Sequence, residues 1–253
     1  MSLGFEEKLD NLTIRINAHI KYSNFSLESW LEDVLPIKEG DQILDIGCGS
    51  GNFFSIYHKM SGGRGIIVGI DQSEELLFKA TKQPIPKILV KWNMDYFFPF
   101  IDCTFDFIIS TYAIYYATNI KVILEEINRL LKQSCMFYLL GPSINNAKEL
   151  YVFNEMVFSF PIYNEAIIRT SRLENDFFHE SNLIFKNVNL ERVQRKLVFP
   201  DKYEFIKYYK ATPLYEESVA KAGYVPSDEI LFSIKQIPLE ISKEMILLKG
   251  EKK

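Results

Sequence analysis

The segment Ile43-Leu44-Asp45-Ile46-Gly47-Cys48-Gly49-Ser50-Gly51-Asn52 decides how this chain folds. An apolar strand pattern, broken only by Asp45, runs into three glycines set at every second position, and a helical pattern follows over 52–60. Glycines there let the backbone turn tightly and leave it bare beside a helix N-terminus, where a ligand can approach the main chain. The spacing is G-x-G-x-G and departs from the G-x-G-x-x-G of dinucleotide sites. Asp45 stands two residues before the first glycine. A pyrophosphate gains nothing from a carboxylate there; a cationic amino group or sulfonium does.

Outward from this segment, short apolar runs alternate with helical patterns. Gln42–Ile46, Gly65–Ile70, Ile88–Lys91, Phe105–Ser110 and Met136–Leu140 lack strict polar alternation, as strands buried on both faces should. Glu74–Lys82 starts behind Ser73, a suitable N-cap, and Ile120–Leu131 carries one apolar stripe. Such repetition predicts right-handed crossovers and a parallel sheet. After Gly141-Pro142 an aromatic helical stretch covers 143–183, and Val188–Phe199 and Glu244–Lys249 read as an antiparallel pair closing the sheet. One domain is expected over 1–253: a helical N-terminal cap at 1–39, a ligand-binding core at 40–141, a helical insert or lid at 142–183, and strands with helices at 184–253.

Composition narrows the class. The 253 residues carry 29 Lys and Arg against 33 Asp and Glu, a net charge of −4 that argues against nucleic acid as the main partner. The three cysteines are widely spaced with no C-x-x-C pair, so no zinc or dithiol site is expected. No stretch approaches the length of a membrane span. A cytoplasmic location is the expectation.

Asp71 closes the second strand, 20 residues after Gly51, where an acid takes ribose hydroxyls. Taken together, Asp45–Gly51, Asp71, Asn93-Met94-Asp95-Tyr96-Phe97-Phe98-Pro99-Phe100-Ile101-Asp102 and Phe105–Ser110 resemble the motifs of a class I S-adenosylmethionine-dependent methyltransferase of the small-molecule branch. They fall in the family's order across residues 40–141. The resemblance implies a Rossmann-like α/β fold: a seven-stranded, mainly parallel sheet of order 3-2-1-4-5-7-6 with an antiparallel last strand, a helical N-terminal cap, and a helical insert before the last two strands. It implies S-adenosylmethionine as cofactor, with S-adenosylhomocysteine as product. It also implies that Asp45, Gly47, Cys48, Gly49, Gly51, Asp71, Gln72, Met94, Asp95, Tyr96, Ser110 and Thr111 bind that cofactor. Asp95 would accept the adenine amino group, and the Tyr96 N–H would meet the ring.

The family's usual L-K-P-G-G is replaced by Leu131-Lys132-Gln133-Ser134-Cys135, which puts the geometry of that turn in question. Ser110-Thr111-Tyr112-Ala113 stands where amine and base methyltransferases of the superfamily carry N-P-P-Y, and it offers no hard charged ligands for a metal. A small-molecule acceptor is therefore expected, with no metal and no nucleic acid. His19 and Tyr22, on the segment resembling the family's cap, and Tyr115, after the fourth strand, are the catalytic candidates. Two other readings remain open at this point: a cofactor-binding but inactive scaffold, and a nicotinamide-dependent oxidoreductase, against which the glycine spacing and Asp45 speak.

Overall fold

A computed structural model describes residues 9–160 and 164–253. Residues 1–8 of the expected cap and 161–163 of the expected insert lie outside the described residues.

Two helices, α1 (Leu9–Tyr22) and α2 (Leu27–Val34), lead into the sheet. The core then alternates β1 (Gln42–Ile46), α3 (Phe54–Met60), β2 (Ile66–Asp71), α4 (Glu74–Ala80), β3 (Ile88–Lys91), β4 (Phe105–Thr111), α5 (Ile120–Leu130) and β5 (Leu131–Pro142). α6 (Lys148–Phe158), α7 (Asn164–Ser171), a π turn at Leu173–Phe177 and α8 (Phe178–Ile184) follow. β6 (Lys186–Val198) and β7 (Glu240–Glu251) close the sheet, with α9 (Lys202–Lys210), α10 (Pro213–Ala222) and α11 (Asp228–Ser233) between them.

The strand order is β3-β2-β1-β4-β5-β7-β6, and β7 runs antiparallel to both of its neighbours. β1 is the pivot, parallel to β2 on one side and β4 on the other. Its Ile43, Leu44 and Ile46 are fully buried, as a central strand covered by helices on both faces requires. On one face α5 lays Ile123, Leu124, Ile127 and Leu130 against Leu44, Ile108 and Leu139. Each such side chain contributes roughly 1.5–3 kcal/mol by leaving water. Strand order reverses at β1, with β2 and β3 added on one side and β4 and β5 on the other, so the carboxyl ends of β1, β2 and β4 open a crevice at a topological switch point.

The departure at Leu131–Cys135 has a simple structural outcome. α5 passes straight into β5, and pairing to β4 jumps from Phe105↔Leu131 to Phe107↔Met136. Ser134 sits at the shift with φ 59, the left-handed conformation for which glycine is favoured. The chain keeps the turn and places the strain on a serine.

β6 and β7 are longer than the sequence pattern indicated, and three helices lie between them. Those helices build a core of their own, in which Phe153 of α6, Phe199, Phe205, Tyr209 and Tyr215 pack with Ala18 of α1.

Candidate functional site

The loop after β1 is held from beneath by a single carbonyl: Gly47 and Cys48 both donate their N–H to Ile70 O, at 2.8 and 3.0 Å. Gly47 and Gly51 each have φ 73. A Cβ on Gly47 would overlap the Ala113 side chain, and one on Gly51 would lie 2.6 Å from the Phe54 ring. Packing alone therefore demands glycine at both. Gly49 differs. Its φ is 55, yet a Cβ there would meet only Leu76 Cδ1 at 4.0 Å, so its bare backbone faces open space.

Asp71 at the end of β2 braces this loop. Its Oδ2 accepts the Gly49 N–H at 2.9 Å and its Oδ1 accepts the Ser73 N–H at 2.8 Å. Burial pushes its pKa up while these backbone donors pull it down, and burial prevails. The cap of α4 is Ser73, whose hydroxyl accepts the Leu76 N–H. Asp45 is 2% exposed and its Oδ1 has no hydrogen-bond partner. Burial, and then the neighbouring Asp71, push its pKa up to about 8.

These groups open onto a cavity of about 1240 Å³. That exceeds the roughly 300–1,000 Å³ that a single small ligand fills, which leaves room for a cofactor and an acceptor together. Of the residues singled out by sequence, Asp45, Gly47, Cys48, Gly49, Asp71, Gln72, Met94, Thr111, His19 and Tyr115 line it. Five do not. Gly51 is turned against Phe54. Ser110 is fully buried and its hydroxyl donates to Ile46 O at 2.7 Å, which ties β4 to β1. Asp95 Oδ1 accepts the Thr118 N–H at 2.6 Å. Tyr96 is 65% exposed, and its N–H donates to Asn93 O at 3.2 Å. Tyr22 packs on Phe199, ring centroids 5.4 Å apart, facing α9.

The candidate bases differ in kind. His19 lies in the cavity wall with its Nδ1 buried and unpartnered. Burial, followed by the positive charges of Lys243, Arg195 and Arg15, holds its pKa well below the usual value, so the imidazole is neutral. Tyr115 is pushed the other way: burial keeps its phenol protonated. It serves as wall, its ring 4.6 Å from that of Tyr116 and its carbonyl accepting Arg172 Nη1 at 2.7 Å.

The far wall carries Tyr112, just after β4, together with Arg15, Arg195, Tyr208 and Lys243, four residues that motif spacing did not single out. A signal existed for two of them. Arg195 falls in phase with Val193 and Leu197, and Lys243 in phase with Ile241 and Met245, so both charges occupy inward positions of strands with period two. Tyr112, at the end of β4, adopts φ 58, an uncommon conformation for a bulky residue and one that clusters at functional sites.

Comparison with known proteins bears on the central segment and on the fold. Residues 44–139 match the family model described as a methyltransferase domain. That match takes in 96 of the chain's 253 residues. The chain's curated relatives include an uncharacterized Methanocaldococcus jannaschii protein, 36% identical over 112 residues, 44% of this chain and 41% of that one. The 2-phytyl-1,4-naphtoquinone methyltransferase of Synechococcus elongatus is 31% identical over 38% of this chain and 43% of its own. The chain thus spans about two fifths of the length of these relatives. Demethylmenaquinone methyltransferase of Staphylococcus aureus is 26% identical over 68% of this chain and 73% of its own. Among solved structures, a Bacillus halodurans protein superposes with TM-score 0.62 at 16% identity, covering 90% of this chain and 99% of that one. YcgJ of Bacillus subtilis gives 0.60 at 18%, covering 89% and 97%. At such identities the likeness is one of fold. The matched residues 44–139 include the glycine loop, Asp71 and the Thr111 end of β4, whereas Arg15, Arg195, Tyr208 and Lys243 lie outside them. Among the described residues no helix is long and apolar enough to cross a membrane.

Proposed function

We propose that this protein transfers a methyl group from S-adenosylmethionine to a small, ring-bearing acceptor. The observation that carries the proposal is Asp45, a buried carboxylate with an unpartnered oxygen, in the lining of a cavity beside a bare glycine backbone. A buried acid without a partner is costly, and a cation placed against it removes that cost. S-adenosylmethionine carries an ammonium and a sulfonium, and its ribose hydroxyls suit the remaining acceptor capacity of Asp71. The residues present therefore fit the cofactor, which when bound supplies an electrophilic methyl group.

The chain's own contribution is positioning and exclusion of water. Gly49 admits the ligand against the main chain, Asp71 fixes its orientation, and the cap α1–α2 lays Phe25 and His19 over the cavity. His19, neutral and with an unpartnered Nδ1, can position an acceptor hydroxyl or amine by a hydrogen bond, while burial and the cations around it oppose its own protonation. Tyr112, Tyr115, Tyr116 and Tyr151 give the acceptor side an aromatic surface. That surface, and the quinone substrates in the names of the Synechococcus and Staphylococcus relatives, favour an aromatic acceptor.

Calorimetric titration with S-adenosylhomocysteine, followed by labelled-methyl transfer to reduced naphthoquinones and a panel of phenols and aromatic amines, tests the proposal. Saturable binding with transfer to a ring-bearing acceptor is the expected result. Absence of binding would overturn it.

A further inference from the structure

Arg195 and Lys243 are directly paired residues of the antiparallel β6/β7 ladder, and both point into the cavity. Like charges set opposite each other on one face of a sheet are destabilising. Here the opposition is sharpened by burial. Arg195 is 9% exposed and its Nε has no hydrogen-bond partner, while its Nη2 donates to Tyr112 Oη at 3.1 Å. Lys243 Nζ donates to Tyr208 Oη at 3.3 Å. Among the described residues neither cation forms an ion pair. Arg15, anchored on Ala211 O at 3.1 Å, adds its field from α1. Glu149, the carboxylate whose charge acts on Lys243, is occupied by the Ser242 N–H and hydroxyl at 3.1 and 2.8 Å.

The effect on Lys243 is visible in its acidity. Burial comes first, then Arg195 and Arg15, and together they depress its pKa to about 7 against the weaker pull of Glu149. The cavity's acids, Asp45 and Asp71, stand at the ends of β1 and β2, and Glu28 lies on α2. Its remaining arginine, Arg169, is already paired with Glu217 at 2.7 Å. The cavity is thus divided: carboxylates at the glycine loop, and at the β6/β7 wall a pair of cations with donors to spare.

We propose that Arg195 and Lys243 form an oxyanion-binding subsite, so that the acceptor carries a carboxylate or phosphate on its ring-bearing body. The proposal rests on the methyl-transfer reading, because it assigns the acidic end of the cavity to the cofactor and the basic end to the acceptor. Two cations held by tyrosine hydroxyls rather than by carboxylates keep N–H groups for a ligand, and charge-assisted bonds to oxyanions are the strong class of such contacts. Burial in a low-dielectric wall strengthens them further.

Calorimetry on the full chain saturated with S-adenosylhomocysteine tests this with three ring probes: benzoate, phenyl phosphate and the neutral benzamide. Benzoate or phenyl phosphate should bind at least about tenfold more tightly than benzamide, one decade of affinity being about 1.4 kcal/mol. Whichever of the two prevails names the oxyanion. Lys243→Met and Arg195→Gln should each remove most of that preference while leaving S-adenosylhomocysteine affinity unchanged. Lys243→Met relieves the cation pair and should fold at least as stably as the parent, so a folding failure of Arg195→Gln alone leaves the test intact. Equal binding of all three probes, or a preference that survives both substitutions, would overturn the subsite. If S-adenosylhomocysteine itself fails to bind, the methyl-transfer reading falls instead, and the benzoate–benzamide comparison on the unliganded chain still decides the subsite.

Discussion

Asp71 Oδ2 holds the amide of Gly49 at 2.9 Å across 22 residues of chain. The acid expected to orient ribose hydroxyls is therefore also the brace of the glycine loop, and a substitution at Asp71 acts on both. Asp71→Ala should weaken S-adenosylhomocysteine by at least roughly tenfold, since each bond to an ionised acceptor contributes about 1.5–3 kcal/mol. Asp71→Asn keeps one acceptor oxygen and should lose less. Calorimetric dissociation constants check the order; an unchanged constant in folded Asp71→Ala would remove Asp71 from the site.

Asp45 should show opposite effects on stability and on binding. Its pKa is raised from 3.8 to about 8, so as pH rises through 3.8 the unfolded chain releases the proton first and the folded chain keeps it. Stability is lost progressively over that window and the loss is complete above about 8. Asp45→Asn removes this cost. Without ligand, the variant's melting temperature should exceed the parent's at pH 8, and the gap should close towards pH 4, while affinity for S-adenosylhomocysteine falls. Melting curves at both pH values decide it: a gap of the same size at each would show that the carboxyl is not responsible.

Gly49 and Gly47 should separate binding from folding. A side chain at Gly49 meets open space but must adopt φ 55, at a cost of roughly 1–2 kcal/mol. Gly49→Val should keep much of the fold and abolish cofactor binding. Gly47→Val collides with Ala113 and should unfold. Circular dichroism with calorimetry on both variants reads the difference; a Gly49→Val protein that binds as the parent does would reduce that glycine to a turn.

On α1, His19 and Tyr22 should behave differently. His19→Gln should lower turnover with little change in cofactor affinity, because His19 lines the cavity near Lys243 and Arg195, away from the glycine loop. Tyr22→Phe should leave turnover within about twofold, since the ring packs on Phe199 outside the cavity. Steady-state kinetics with labelled cofactor distinguish the two; a Tyr22→Phe enzyme losing activity while His19→Gln keeps it would reverse the assignment.

The central fold was legible because its signals are local. Buried parallel strands show as unbroken apolar runs, and Ser73 shows as an N-cap before Glu74-Glu75. The strand order came with the family resemblance. In the site, Asp45 and Asp71 were legible from their distances to the glycines. Asp95 and Tyr96 were assigned through motif alignment, and the structure engages them locally, with Thr118 and Asn93. Ser110 shares β4 with Thr111 but points to the other side, a distinction that depends on strand phase. Arg195 and Lys243 escaped because they meet only through a ladder between strands separated by three helices. No spacing rule reaches across that interval.

The placement of β7 has a consequence for the order in which the molecule is assembled. β6 touches the sheet only through β7, although residues 199–239 separate the two strands. On a ribosome, a chain that has emerged as far as α11 can already hold β1–β5 and the glycine loop, but β6 has no strand to join. The wall bearing Arg195 then waits for β7 to slide between β5 and β6, which brings Lys243 opposite it. The two halves of the cavity are thus completed at different moments of synthesis, the cofactor side first.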